Sequence, residues 1–118
     1  MRPSRLVRTA ALCLSMGGCA DPDPPSGLYV ARCDPDATLV FEADNSVLTN
    51  VNYCEGYAVD DGTFEQDGDQ ILLPPSANPE AAPNVFEITE PGILTLREEA
   101  WNFTCGNCKP GDTWVLAE

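Results

Sequence analysis

Cys105-Gly106-Asn107-Cys108-Lys109 is the stretch whose residue types and spacing come closest to a reaction centre. Two thiols two residues apart do dithiol redox chemistry when the first sits at a helix N-terminus, where the dipole stabilises a thiolate. Here Pro110-Gly111 follow and lead into a strand-like run, so neither the helix nor the βαβ context is written. The same pair could supply half of a tetrahedral zinc site. Its other half would be Cys33 and Cys54, far apart in sequence, and an exported chain favours oxidation of all four. Histidine is absent, which removes Ser-His and Cys-His dyads and histidine-based metal centres. Asp60, Asp61, Asp67 and Asp69 sit among turn residues without the glutamate that completes an EF-hand loop. No glycine-rich phosphate loop occurs, and no carboxylate pair is singled out for glycoside chemistry. The expectation is a protein that is not an enzyme, with no cofactor and no metal.

The cysteines then become a matter of compartment. The chain opens MRPSRLVR, with Arg2, Arg5 and Arg8, and continues uncharged from Thr9 to Gly18. A basic start, a short apolar stretch and small residues before a break mark residues 1–18 as an export signal. The run is too short to cross a bilayer, which takes about 20 residues as a helix. The stretch LSMGGC, ending at Cys19, resembles the lipobox of bacterial lipoproteins. That resemblance implies acylation of Cys19 and a membrane anchor, with residues 19–26 as a Pro/Asp-rich tether. A cut after Ala20 releasing a soluble protein is the alternative. Cys13 leaves with the signal, and Cys33, Cys54, Cys105 and Cys108 are expected to form two disulfides, with three connectivities open.

From Cys19 onward three basic residues stand against nineteen acidic ones, a balance of −16. Phosphate recognition depends on Lys and Arg, so nucleic acid is excluded as a partner. Lying flat on anionic lipid is disfavoured for the same reason.

The elements that must position these residues are strands. Three stretches share a pattern: FEADNSVL from Phe41, FEQDGDQIL from Phe64 and FEITEPGIL from Phe86. Each reads as a hairpin. Asp67-Gly68 suits a type I′ turn, Pro91-Gly92 a type II turn, and Asp44-Asn45 a weaker positive-φ turn. Alternation puts Leu39 with Phe41, Val47 with Val51 and Tyr53, and Leu94 with Leu96 on inner faces. Eight strands are predicted, near 28–32, 37–43, 46–53, 57–66, 69–73, 84–89, 93–97 and 113–117, with a bulge at Gly62. The fold class is all-β: one domain over 27–118, a small antiparallel up-and-down barrel stabilised by disulfides, or else a flattened sandwich.

Such a meander gathers the tight turns at one end. The long connections, 33–36, 54–56, 74–84 and 99–112, gather at the other with all four cysteines. That rim is the expected partner surface, with Tyr57, Trp101, Phe103, Arg32, Arg97 and Lys109 as candidates. Trp101 and Phe103 have a second reading, as plugs of the barrel mouth. Within residues 38–73, Leu39-Val40-Phe41, Cys54, Gly62-Thr63-Phe64 and Gly68-Asp69 resemble the order of motifs in META-type or lipocalin-like domains of bacterial lipoproteins. The resemblance implies a small envelope β-domain, not a reaction. The expected function is a non-catalytic, lipid-anchored lipoprotein that binds a protein or small-molecule partner through its loop rim. A periplasmic inhibitor of a basic hydrolase such as lysozyme, or a carrier of a small apolar ligand, are the alternatives.

Overall fold

Alternation decides which face each strand buries. In the run Thr38–Phe41 (β2) Leu39 and Phe41 are buried, and in Ser46–Asn52 (β3) Val47, Thr49 and Val51 are buried, while the residues between them are partly open. The computed structural model describes residues 22–117; the stretch expected to be an export signal and Cys19 lie outside the described residues. The other strands are β1 (Gly27–Ala31), β4 (Tyr57–Thr63), β5 (Glu65–Asp67), β6 (Gln70–Leu73), β7 (Asn84–Glu90), β8 (Ile93–Glu98) and β9 (Thr113–Leu116). Among the described residues the helical content is one 3-10 turn, Ala43–Asn45, and no helix is long and apolar enough to cross a membrane.

All nine strands are antiparallel in one sheet, ordered β4-β3-β2-β1-β9-β8-β7-β6-β5. Neighbours in sequence are neighbours in space, and β9 returns to pair with β1, so the sheet curls into a nearly closed barrel. The two strands at the ends of that order, β4 and β5, are separated only by Phe64. They are one strand that changes partner: its first part ladders with β3, its second with β6.

The expected strand over 57–66 is thus shared between two partners, and the bulge expected at Gly62 is absent. The β3–β4 register is regular through Val47↔Gly62, and the interruption falls at Phe64. The cause lies in β6. Continuing the β5–β6 register, Glu65↔Leu72, upward would set Pro74 and Pro75 opposite Thr63 and Gly62. Proline has no N–H to give a ladder, so pairing stops and a seam opens beside β4. Bulges occur instead between β7 and β8, at Val85/Phe86 and Ile88/Glu90.

The turns follow their local chemistry. Asp44 (φ 65°) and Asn45 (φ 61°) both take the left-handed conformation that short polar side chains tolerate. Gly92 (φ 82°) follows Pro91, as expected. The β5–β6 turn sits one residue later than expected, on Gly68-Asp69, with Gly68 alone at positive φ (66°). A glycine in the first central position is the II′ arrangement, not I′.

The interior is filled in two aromatic layers. Near the tight turns Phe41 meets Tyr29 and Phe64 edge to face, at centroid distances of 5.5 and 5.0 Å. Near the long loops Phe86 meets Trp114 at 5.1 Å, and Phe103 stacks on Trp114 at 5.7 Å. Leu39, Ile71, Leu94 and Leu96, all fully buried, fill the wall between them. Residues 22–26, the described part of the expected 19–26 tether, pack on the base of the barrel. Gln66 Nε2 donates to Pro22 O at 2.8 Å, and Pro25 is buried. Together with Tyr29, Ile88, Pro91 and Leu116 this segment lines a recess of about 450 Å³.

Candidate partner-binding rim

Both halves of the CGNC stretch are spoken for. Cys33 joins Cys108 and Cys54 joins Cys105, with Cα–Cα distances of 5.4 and 5.1 Å. The motif is therefore two separate staples, each tying the 99–112 loop to a different part of the rim. The sulfurs of Cys33 and Cys108 lie near the Asp112 carboxylate, but as a disulfide they are no thiolate ligands. Two such bonds belong to an oxidising compartment. Cys54 (φ 76°) and Cys105 (φ 54°) both adopt left-handed backbone, a conformation that non-glycine residues rarely take.

The 99–112 loop is folded inward by one residue that sequence reasoning did not single out. Asn84, fully buried at the start of β7, accepts from Ala100 N (2.6 Å) and Trp101 N (3.0 Å). Its Nδ2 donates to Trp101 O at 3.2 Å, so one amide side chain satisfies three backbone groups of the loop. Trp101 Nε1 donates to Leu73 O at 2.9 Å. Phe103 drops into the barrel at 1% exposure, and its carbonyl accepts from Asn52 N at 3.1 Å. Thr104, fully buried, makes a parallel bridge with Asn52 and accepts from Cys108 N at 3.1 Å.

Of the expected contact set, Phe103 is thus a plug of the mouth and offers a partner no surface. Trp101 is half-buried against the core and committed to Leu73. Arg32 and Lys109 are exposed on the rim. Arg97 is engaged on the wall, its Nε 2.8 Å from Glu87 Oε1.

Tyr57 is exposed, and it has company. Among the described residues the exposed large hydrophobics are Leu28, Tyr53 (57%), Tyr57 (52%) and Val59 (64%), and the last three share the β3–β4 hairpin. Tyr53 was expected inside, in phase with Val47 and Val51. It is outside because β2 pairs with β3 only as far as Leu39↔Thr49, so the hairpin runs on past the barrel mouth. Alternation names a face, but not how far the neighbouring strand extends. Val59 gave no signal at all, being an apolar residue in a strand assumed to be half-buried.

An acidic shelf supports this hairpin. Tyr57 OH donates to Asp36 Oδ2 at 3.3 Å, and Asn50 Nδ2 donates to Asp36 O at 2.6 Å. Desolvation, followed by the charges of Asp36 and Asp34 and the bond to Asp36, raises the Tyr57 phenol above its ordinary value. Asp34 is buried, and burial alone would push its carboxyl up. Hydrogen bonds from Asn107, from the Asp36 N–H and from Asn52 prevail and hold it below the ordinary range. Exposed Glu55 lies in the hairpin turn and exposed Asp61 follows Val59 on the same face of β4, whereas Asp60 alternates to the other face and is bound to Ser76. The chain has no histidine to join them, and the one cysteine–carboxylate cluster among the described residues, Cys33, Cys108 and Asp112, is closed by the Cys33–Cys108 disulfide. No family model matches the chain, nor does any curated protein or solved structure.

Proposed function

We propose that this is a non-catalytic, exported envelope protein, held to a membrane through acylated Cys19, that binds a cationic protein partner with the hairpin side of its loop rim. The observation that carries the reading is the concentration of exposed Tyr53, Tyr57 and Val59 on one hairpin whose tip is tied down through Cys54. Aromatic side chains with few rotatable bonds make effective contact residues, and a stapled support lowers the entropy lost on binding. The surrounding carboxylates and the −16 balance from Cys19 onward select a basic partner and speed its approach. A basic hydrolase, inhibited by occlusion, is the partner class that this charge fits best. The filled aromatic core weighs against a carrier of apolar ligands.

The test uses lysozyme as a cationic probe, in a salt titration. Tight binding that weakens with salt and falls at least about tenfold in Tyr57→Ala supports the reading. Binding indifferent to both would overturn it. The intact mass of protein made in an exporting bacterium checks the anchor: a chain beginning at Cys19 plus acyl groups is expected.

A further inference from the structure

Among the described residues β4 has a strand on one side only. The bonds Tyr53 N→Gly56 O and Phe64 N→Asn45 O set the phase of the β3–β4 ladder, so Ala58, Asp60 and Gly62 exchange their hydrogen bonds with β3. The N–H and C=O groups of Tyr57, Val59 and Asp61 therefore point to the other edge. The strand that would close the barrel there is β6, and its continuation is Pro74-Pro75. What spans the seam is a side-chain contact, Asp60 with Ser76, and it lies below Val59. A groove of about 210 Å³ between Asp61–Thr63 and Pro74, Pro75, Ser76 and Pro79 carries the line of the edge onward.

Exposed edges are ordinarily blunted by proline, charged side chains or a bulge, and the charges of β4, Asp60 and Asp61, come only after Val59. The sequence Tyr57-Ala58-Val59 has none of these, and its register with β3 is unbroken. We propose that this edge binds an extended, basic segment of a protein partner by adding it to the sheet as a further strand. The proposal rests on the partner-binding reading above and specifies its mode. Backbone groups of Tyr57 and Val59 supply the pairing, as in other strand-addition complexes. Their side chains flank the added strand, and Asp36, Glu55 and Asp61 call for lysine or arginine on it. A second copy of this chain is the poorer occupant, because it would bring the same carboxylates against themselves.

The test is a short peptide alternating lysine with valine, compared with the same peptide N-methylated at alternate backbone nitrogens. Methylation keeps charge and side chains but removes edge donors. On the protein, Val59→Pro removes an N–H that the β3 ladder does not use, so folding should survive. Ala58→Pro removes a ladder N–H and is the matched destabilising control. Expected are slowed amide exchange at Tyr57 and Val59 on adding peptide, and about tenfold weaker binding for Val59→Pro and for the methylated peptide. Equal affinity for both peptides, or unchanged affinity in folded Val59→Pro, overturns strand addition. If Tyr57→Ala alone weakens binding, the rim reading stands and this mode fails. If the peptide does not bind while lysozyme does, the mode again fails by itself; if neither binds, both readings fall.

Discussion

The Asp60 carboxylate accepts hydrogen bonds from both the backbone N–H and the hydroxyl of Ser76, spanning the seam where β4 has, among the described residues, no second neighbouring strand. Gly62 lies against the same serine: a Cβ built there would come within 3.2 Å of Ser76 Cβ. Ser76→Ala keeps the packing and loses the hydroxyl bond. A cost of about 1 kcal/mol in urea unfolding is expected, along with faster amide exchange along the lower part of β4.

Phe103 closes the mouth from inside. Phe103→Ala should destabilise by about 3–5 kcal/mol, as truncation of a fully buried phenylalanine does. Tyr57→Ala, on the exposed hairpin, should fall within about 0.5 kcal/mol of the parent. Paired measurements of stability and partner affinity would separate the two aromatics: the first substitution acts on folding, the second on binding.

Asn84 is the peg for the loop. Asn84→Ala leaves the Ala100 and Trp101 amides without their acceptor and should cost roughly 1–3 kcal/mol. Asn84→Asp keeps the acceptor and loses the donor to Trp101 O, at the added cost of a buried charge. The resulting freedom of Trp101 is expected in its fluorescence, as a shift to longer wavelength and easier quenching.

The two disulfides should reduce in order. Cys54 is exposed, whereas Cys108 is 2% exposed and part of the core. Graded reductant followed by alkylation and mass measurement should label Cys54 and Cys105 before Cys33 and Cys108. Removing either staple should cost about 2–5 kcal/mol. Labelling of Cys33 and Cys108 first would contradict the burial pattern.

Asp34 makes an acid-side prediction. Its carboxyl titrates lower in the folded protein than the ordinary value near ~3.9. The ionised form therefore supports the fold above that value, and its contribution drains away as pH falls through the lower, folded value. Asp34→Asn should flatten the dependence of unfolding midpoint on pH below about 4, while lowering stability at neutral pH.

Much of the wall was legible because period-two alternation reports directly on strands with one buried face. Leu39, Phe41, Val47, Val51, Leu94 and Leu96 all lie where that pattern sends them. The turns were legible wherever proline or a positive-φ residue leaves a single option. The change of partner at Phe64 was not, because it depends on what β6 becomes after Leu73, outside the strand itself. Disulfide pairing was equally closed to inspection, since four cysteines at one rim admit three answers. The site suffered most: burial of Phe103 and exposure of Tyr53 are set by how far neighbouring strands and loops reach. Composition carries no measure of that reach.

The position of β9 between β1 and β8 has a consequence for the order of events during synthesis. The first strand made waits for the last before its second edge is covered, and Cys33 waits for Cys108. A chain emerging N-terminus first can fold its hairpins one after another, yet the wall stays open until residues 113–116 arrive. Contacts of such long sequence separation slow folding. The barrel therefore cannot close before the chain is finished, however early its hairpins form.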